Sequence, residues 1–162
     1  MSCRSILPAL SGALLAAGLA LPAAAQFTAA GPDLKPLVKT PFNGLVKVRN
    51  VGSATAGPST LTIECQKIGG GACPEAPGMA AYEDPAYPNK AAVKVPQLKT
   101  GKTFTHKLSF WNALSFGPGV YRFTVIADDG NKVAEINEGN NVAVTKVTGG
   151  RGAAKSGRFR RR

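Results

Sequence analysis

The feature that most constrains this chain is a short period-two alternation, interrupted repeatedly by Gly, Pro and Asn. It is clearest in Tyr121 to Val147, YRFTVIADDGNKVAEINEGNNVAVTKV. Tyr121, Phe123, Val125 and Ala127 fall on one face and Arg122 and Thr124 on the other, as a half-buried strand requires. Asp128-Asp129-Gly130-Asn131 then breaks the pattern with residues that accept positive φ or bond their own backbone. After the polar run Glu135 to Asn141, Val142 to Val147 reads as a second strand. The alternation recurs at Gly44 to Asn50, with Val46 and Val48 against Lys47 and Arg49, and at Leu61, Ile63 and Cys65. It returns at Val93 and Val95, and at Thr103 to Phe110, where Phe104, His106 and Leu108 share a face. Asp33 to Val38 reads as an edge strand, because Pro36 cannot donate to a central ladder. About seven short strands and no helical period of useful length point to an all-β chain folded as an antiparallel sandwich. The expected core is Val46, Val48, Leu61, Ile63, Val93, Val95, Phe104, Leu108, Phe123 and Val125, with Trp111 and Tyr121 half-buried.

The ends of the 162-residue chain follow different rules. Residues 1–25 carry a short basic start at Arg4, an apolar run from Ile6 to Leu21, and small residues through Ala25, the pattern of a cleaved secretory signal. Pro8 and the glycines interrupt the run and no basic stop-transfer flank follows, so a retained spanning helix is the poorer reading. Cys3 precedes the apolar run, so a lipid-modified cysteine is not indicated. The mature chain is expected to be periplasmic or secreted, with a linker at 26–32, the sandwich at 33–148 and a disordered basic tail at 149–162. The formal charge of +11 divides unevenly between these parts. Between Gln26 and Thr148 thirteen Lys and Arg face nine Asp and Glu, a balance of +4. The tail adds six basic residues and no acid: Arg151, Lys155, Arg158, Arg160, Arg161 and Arg162. Inside a cell such a tail would suggest nucleic acid; behind a signal, the expected counter-ions are anionic envelope polymers or lipid headgroups. The competing reading is a solvated end with no dedicated partner.

Removal of the signal leaves Cys65 and Cys73, and in an oxidising compartment an even pair is expected to form a disulfide. The bridge would close a small loop through Gly69-Gly70-Gly71. Two thiols without histidine partners make no zinc site. The stretch 66–90 that contains Cys73 is rich in Gly, Pro and Ala and has no clean period. A connection of this length in a compact domain is usually functional or disordered. Its candidate ligand-binding residues are Tyr82, Glu83, Asp84 and Tyr87, because tyrosines supply large, stiff contact area.

The connection 128–141 offers Asp128, Asp129, Glu135 and Glu138 together with Asn140 and Asn141, hard oxygens of the kind calcium uses. The spacing does not match the helix-loop-helix calcium motif. The reading preferred here is that these side chains satisfy backbone groups of an irregular connection, so no cofactor is expected and calcium stands as the alternative. His106, the only histidine, lies on an alternating strand with Phe104 and Leu108 and reads as a packed or edge residue, not as a ligand or base. Glu135 and Glu138 lie on a turn-rich connection without an evident cleft, and Gly69-Gly70-Gly71 lacks the Lys-Ser/Thr of a phosphate loop.

The order of several segments resembles the CARDB domain, a bacterial extracellular module whose name refers to cell adhesion. The matching pieces are Asp33-Leu34, the run Val46 to Pro58 containing Arg49-Asn50-Val51-Gly52, the run Val95 to Gly101, Pro118 to Tyr121, and Val133 to Asn141 containing Glu138-Gly139-Asn140-Asn141. They cover nearly the whole expected domain. The resemblance implies an immunoglobulin-like sandwich and a non-enzymatic binding role. The chain departs from it in the insertion 66–90, where the family usually has a short connection, and in the basic tail. The expected function is therefore a non-catalytic module that recognises an envelope protein or glycan through its insertion. The alternative is a structural envelope protein held to anionic surface polymers by its tail.

Overall fold

The computed structural model describes residues 30–150. The expected signal segment and the tail residues Arg151, Lys155, Arg158, Arg160, Arg161 and Arg162 lie outside the described residues. Among the described residues seven strands form: β1 (Leu34–Val38), β2 (Leu45–Asn50), β3 (Ser59–Ile68), β4 (Ala91–Val95), β5 (Thr103–Lys107), β6 (Gly119–Ile126) and β7 (Val142–Gly149). They make two antiparallel sheets, ordered β1-β2-β5 and β4-β3-β6-β7. The chain changes sheet after β2, β4 and β5, which gives an immunoglobulin-like sandwich. No described helix is long and apolar enough to cross a membrane.

Alternation accounts for most of the inner faces. Along β6, Tyr121, Phe123 and Val125 point inward and are buried, while Arg122 is exposed. Val46 and Val48 of β2 and Leu61 and Ile63 of β3 meet them in a core that also takes Leu34, Phe42, Val93, Val95, Leu108 and Val133. Pro36 lies opposite Val48 in β1, which pairs with β2 alone, so its missing N–H costs no ladder bond on a second side. Tyr121 is more deeply buried than expected, and its hydroxyl donates to the Gly117 carbonyl at 3.2 Å. Phe104 does not join the buried core. It sits on β5, an edge strand covered on one flank only, where it is half-buried and stacks on His106 with ring centroids 6.2 Å apart.

The insertion begins later than its composition suggests. Gln66, Lys67 and Ile68 still pair with Arg122, Tyr121 and Val120, so they extend β3. The sequence pattern fails there because polarity and direction are exchanged. Ile68 is exposed, while Lys67 turns toward Tyr121 and holds its ammonium 5.7 Å from the ring centroid.

Candidate functional site

Residues 69–90 leave the end of β3 and fold back on the sandwich. A disulfide between Cys65 and Cys73, with Cα atoms 6.2 Å apart, fixes the outgoing limb to the strand. Gly69, Gly70 and Gly71 all have φ near +90°, a region that disfavours residues with a Cβ, so the glycines inside the staple are a conformational requirement. A short 3-10 turn, Met79–Tyr82, then presents Tyr82 to the opposite sheet. The Tyr82 hydroxyl accepts the Ser109 N–H at 3.0 Å and lies 3.2 Å from His106 Nε2, and its ring packs edge-on against Phe110 with centroids 5.1 Å apart. Tyr87 is 9% exposed, and its hydroxyl approaches Gly130 so closely that a Cβ there would stand 2.5 Å away. The returning limb is held by Lys90, whose ammonium donates to Asp129 at 2.7 Å; Thr62 donates to the same carboxylate oxygen at 2.7 Å. Asp84 accepts the Ala86 N–H at 3.0 Å and the Lys94 ammonium at 3.2 Å, and these two contacts hold its carboxyl below the usual carboxylate range.

This arrangement leaves a cavity of about 580 Å³ between the insertion and the sandwich. Tyr82, Glu83, Asp84 and Tyr87, grouped by sequence reasoning, all line it. They serve as its walls. The two tyrosines face the protein and are tied to it, whereas Glu83 is exposed at the rim. The rest of the lining was not anticipated as a site. Met79 comes from the insertion, Phe110, Trp111 and Leu114 from the turn after β5, and Phe123 from the inner face of β6. Trp111 is the one of these with a readable signal, as a large ring beside a Gly/Pro-rich turn. In the structure it packs on Phe42, Phe116 and Phe123 with centroids 4.7 to 5.5 Å away.

The acidic connection 128–141 touches the insertion at Asp129 and Gly130, but most of it does something different. Asp128 Oδ2 accepts the Val133 N–H at 2.8 Å, and Glu138 Oε1 accepts the Glu135 N–H at 3.1 Å. Glu135 accepts the Leu34 N–H, and Asn140 Nδ2 donates to Asp33 at 2.8 Å. Asn141 Nδ2 bridges Glu138 at 2.9 Å and Glu135 at 3.3 Å. Burial raises the Glu135 carboxyl to about 7 against the Leu34 and Asn141 bonds, and the neighbouring charges of Glu138 and Asp128 push the same way. Asp129 stands apart from this group, on Thr62 and Lys90.

On the other side of residues 31–34 sits the turn after β2. Val51 N–H donates to the Asp33 carbonyl at 2.7 Å, and Ser53 N–H to the Gly31 carbonyl at 2.9 Å. Gly52 has no room for a side chain, since a Cβ would lie 2.3 Å from the Gly31 oxygen. Asn50, fully buried, joins the pieces: its Oδ1 accepts from Asp33 and Gly52, and its Nδ2 donates to the Ala54 and Leu98 carbonyls. Four of the sequence pieces that suggested a family thus meet as a clasp on the first strand. The sequence places Asn50 at a strand end and in the Arg49-Asn50-Val51-Gly52 piece, without showing the contacts its side chain makes.

Asp128, Asn140 and Asn141 each keep one buried side-chain oxygen without a protein partner. Yet among the described residues no group of three His, Cys, Asp or Glu side chains converges as a metal site would need. The carboxylates of Asp128, Glu135 and Glu138 are instead turned to main-chain N–H groups, and Asp129 is taken by Thr62 and Lys90, so the donor set fits these partners better than it fits an ion.

The described architecture is similar to solved structures. One is a CARDB domain from Pyrococcus furiosus crystallised in complex with di-metal ions, 23% identical, covering 74% of this chain and 94% of that one, with a TM-score of 0.45. Another is a domain, residues 272–376, of a Methanosarcina acetivorans protein described as a cell-surface protein, 19% identical, covering 73% and 91%, with a TM-score of 0.46. No curated protein matches the chain. The sequence profile of CARDB, a family of non-enzymatic immunoglobulin-like domains associated with the cell surface, matches residues 33–145, and the chain belongs to that family.

Proposed function

We propose that this protein is a secreted or periplasmic, non-catalytic binding module that recognises an envelope protein or glycan through the insertion, residues 69–90 beyond the end of β3. The observation that carries this reading is the cavity of about 580 Å³ under the insertion, walled by aromatic side chains. Concave, mainly apolar sites of about 300–1,000 Å³ with a few polar groups are the usual form of a binding pocket. The insertion is also anchored at both limbs, by Cys65–Cys73 and by Lys90–Asp129, so the walls are preorganised and little ordering entropy opposes binding. A disulfide suits an oxidising compartment, in keeping with the expected export of the chain. The test is capture from envelope extract by the mature protein, comparing the native chain with one whose residues 69–89 are replaced by a short Gly/Ser link. Capture should be lost in the shortened protein. Equal capture by both would remove the insertion from the function.

A further inference from the structure

Two features of the cavity bear on what it could hold. The first is the density of rings: Tyr82, Tyr87, Phe110, Trp111 and Phe123 all contribute to its lining. Ring faces carry the negative part of a quadrupole and attract cations, most strongly where water is displaced. The second is the charge at the rim. Glu75, Glu83 and Asp84 line the cavity against one lysine, Lys90. Asp84 is paired with Lys94 and Lys90 with Asp129, but Glu75 and Glu83 are exposed and have no ion-pair partner among the described residues. Other carboxylates, such as exposed Glu64, also lack an ion-pair partner among the described residues, but Glu75 and Glu83 are the unpaired ones that line the cavity.

We propose that this cavity takes a small organic cation with an apolar body, the body seated against the rings and the positive group held among the ring faces and the carboxylates of Glu75 and Glu83. This deepens, and rests on, the reading of the insertion as the binding element. An anion of the same shape would meet Glu75 and Glu83 with its own charge.

Trp111 lines the cavity and is the single tryptophan of the chain, so its fluorescence reports binding there. The mature full chain is titrated with three probes of one skeleton: phenylpropylammonium, phenylpropanol and phenylpropionate. The ammonium should bind about tenfold tighter than the alcohol, and the carboxylate weakest. The double variant Glu75→Gln/Glu83→Gln should lose most of the preference for the ammonium while its affinity for the alcohol stays unchanged, which also shows that the cavity is intact. Alcohol or carboxylate binding as tightly as the ammonium overturns the proposal, as does a Trp111 signal that none of the three probes moves. If the shortened insertion captures envelope material as well as the native chain does, the underlying function fails whatever the probes do. If capture is lost but the three probes bind alike, the cation inference alone fails.

Discussion

Asn50→Ala is the substitution expected to cost this domain most for its size. The Asn50 side chain is fully buried and uses both ends of its amide. Oδ1 accepts the Asp33 N–H at 3.2 Å and the Gly52 N–H at 3.0 Å, and Nδ2 donates to the carbonyls of Ala54 and Leu98, both at 2.8 Å. Alanine would leave all four backbone groups without that partner. A net hydrogen bond contributes about 1 kcal/mol, and a buried group left unpaired costs about 1–3 kcal/mol. Ala54 is partly exposed and water can replace its bond, so the sum is about 3–4 kcal/mol, not more. For a domain of this length that is a fall in melting temperature of about 10–15 °C. Urea unfolding of the oxidised mature protein, followed by Trp111 fluorescence, measures it directly. The midpoint should fall with the denaturant slope unchanged. Asn50→Asp should cost at least as much, because a carboxylate would then face the two carbonyls that Nδ2 serves. A loss below about 1 kcal/mol for Asn50→Ala would refute the clasp as a source of stability.

The carboxyl of Glu135, raised by burial and by Glu138 and Asp128 from 4.5 to about 7, makes folding favour its protonated form. Its contribution is whole below about 4.5 and is lost as pH rises through about 7. The group is half-exposed, so the effect is on the order of 1 kcal/mol after solvent screening. Melts at about pH 5 and about pH 8 should show native stability falling relative to Glu135→Gln, and parallel curves for the two proteins would contradict it. At the same connection, calcium at millimolar concentration should leave the melting temperature unchanged, while Asn141→Ala should cost about 1 kcal/mol through the bonds to Glu135 and Glu138. A calcium-induced rise abolished by Asp128→Asn or Glu138→Gln would make the connection a metal site instead.

The strands were legible wherever polarity follows direction. In β2 and β6 the inward positions are apolar except Asn50, and most outward ones are charged or hydroxylic, so period two alone places Val46, Val48, Phe123 and Val125 in the core. The end of β3 was not legible, because an inward lysine covers Tyr121 while Ile68 faces solvent. The clasp was visible as motifs but not as a contact. Its hydrogen bonds from Leu34 to Glu135 and from Asn140 to Asp33 join positions 101 and 107 residues apart, and no local pattern encodes such a pairing. Composition singled out the tyrosines of the insertion, but the cavity itself needs Trp111 and Phe123, which arrive from other elements.

The pieces that mark the family therefore explain the fold and not the binding. Asp33, Asn50, Gly52, Leu98, Glu135 and Asn140 all serve to fix β1 between the turn after β2 and the connection before β7. The connection between β3 and β4 is what builds a concave, mainly apolar site. The two regions share one joint. Asp129 opens the acidic connection, yet its carboxylate receives Lys90 from the end of the insertion and Thr62 from β3, and the Tyr87 hydroxyl approaches Gly130 beside it. A frame held rigid on one side of that joint lets the insertion keep its shape on the other, although its one regular element is the short turn Met79–Tyr82. Function in folded domains is often carried on loops held by a rigid scaffold, and here the scaffold holds the loop at several points: the Cys65–Cys73 bridge, Tyr82 on Ser109, Asp84 on Lys94 and Lys90 on Asp129.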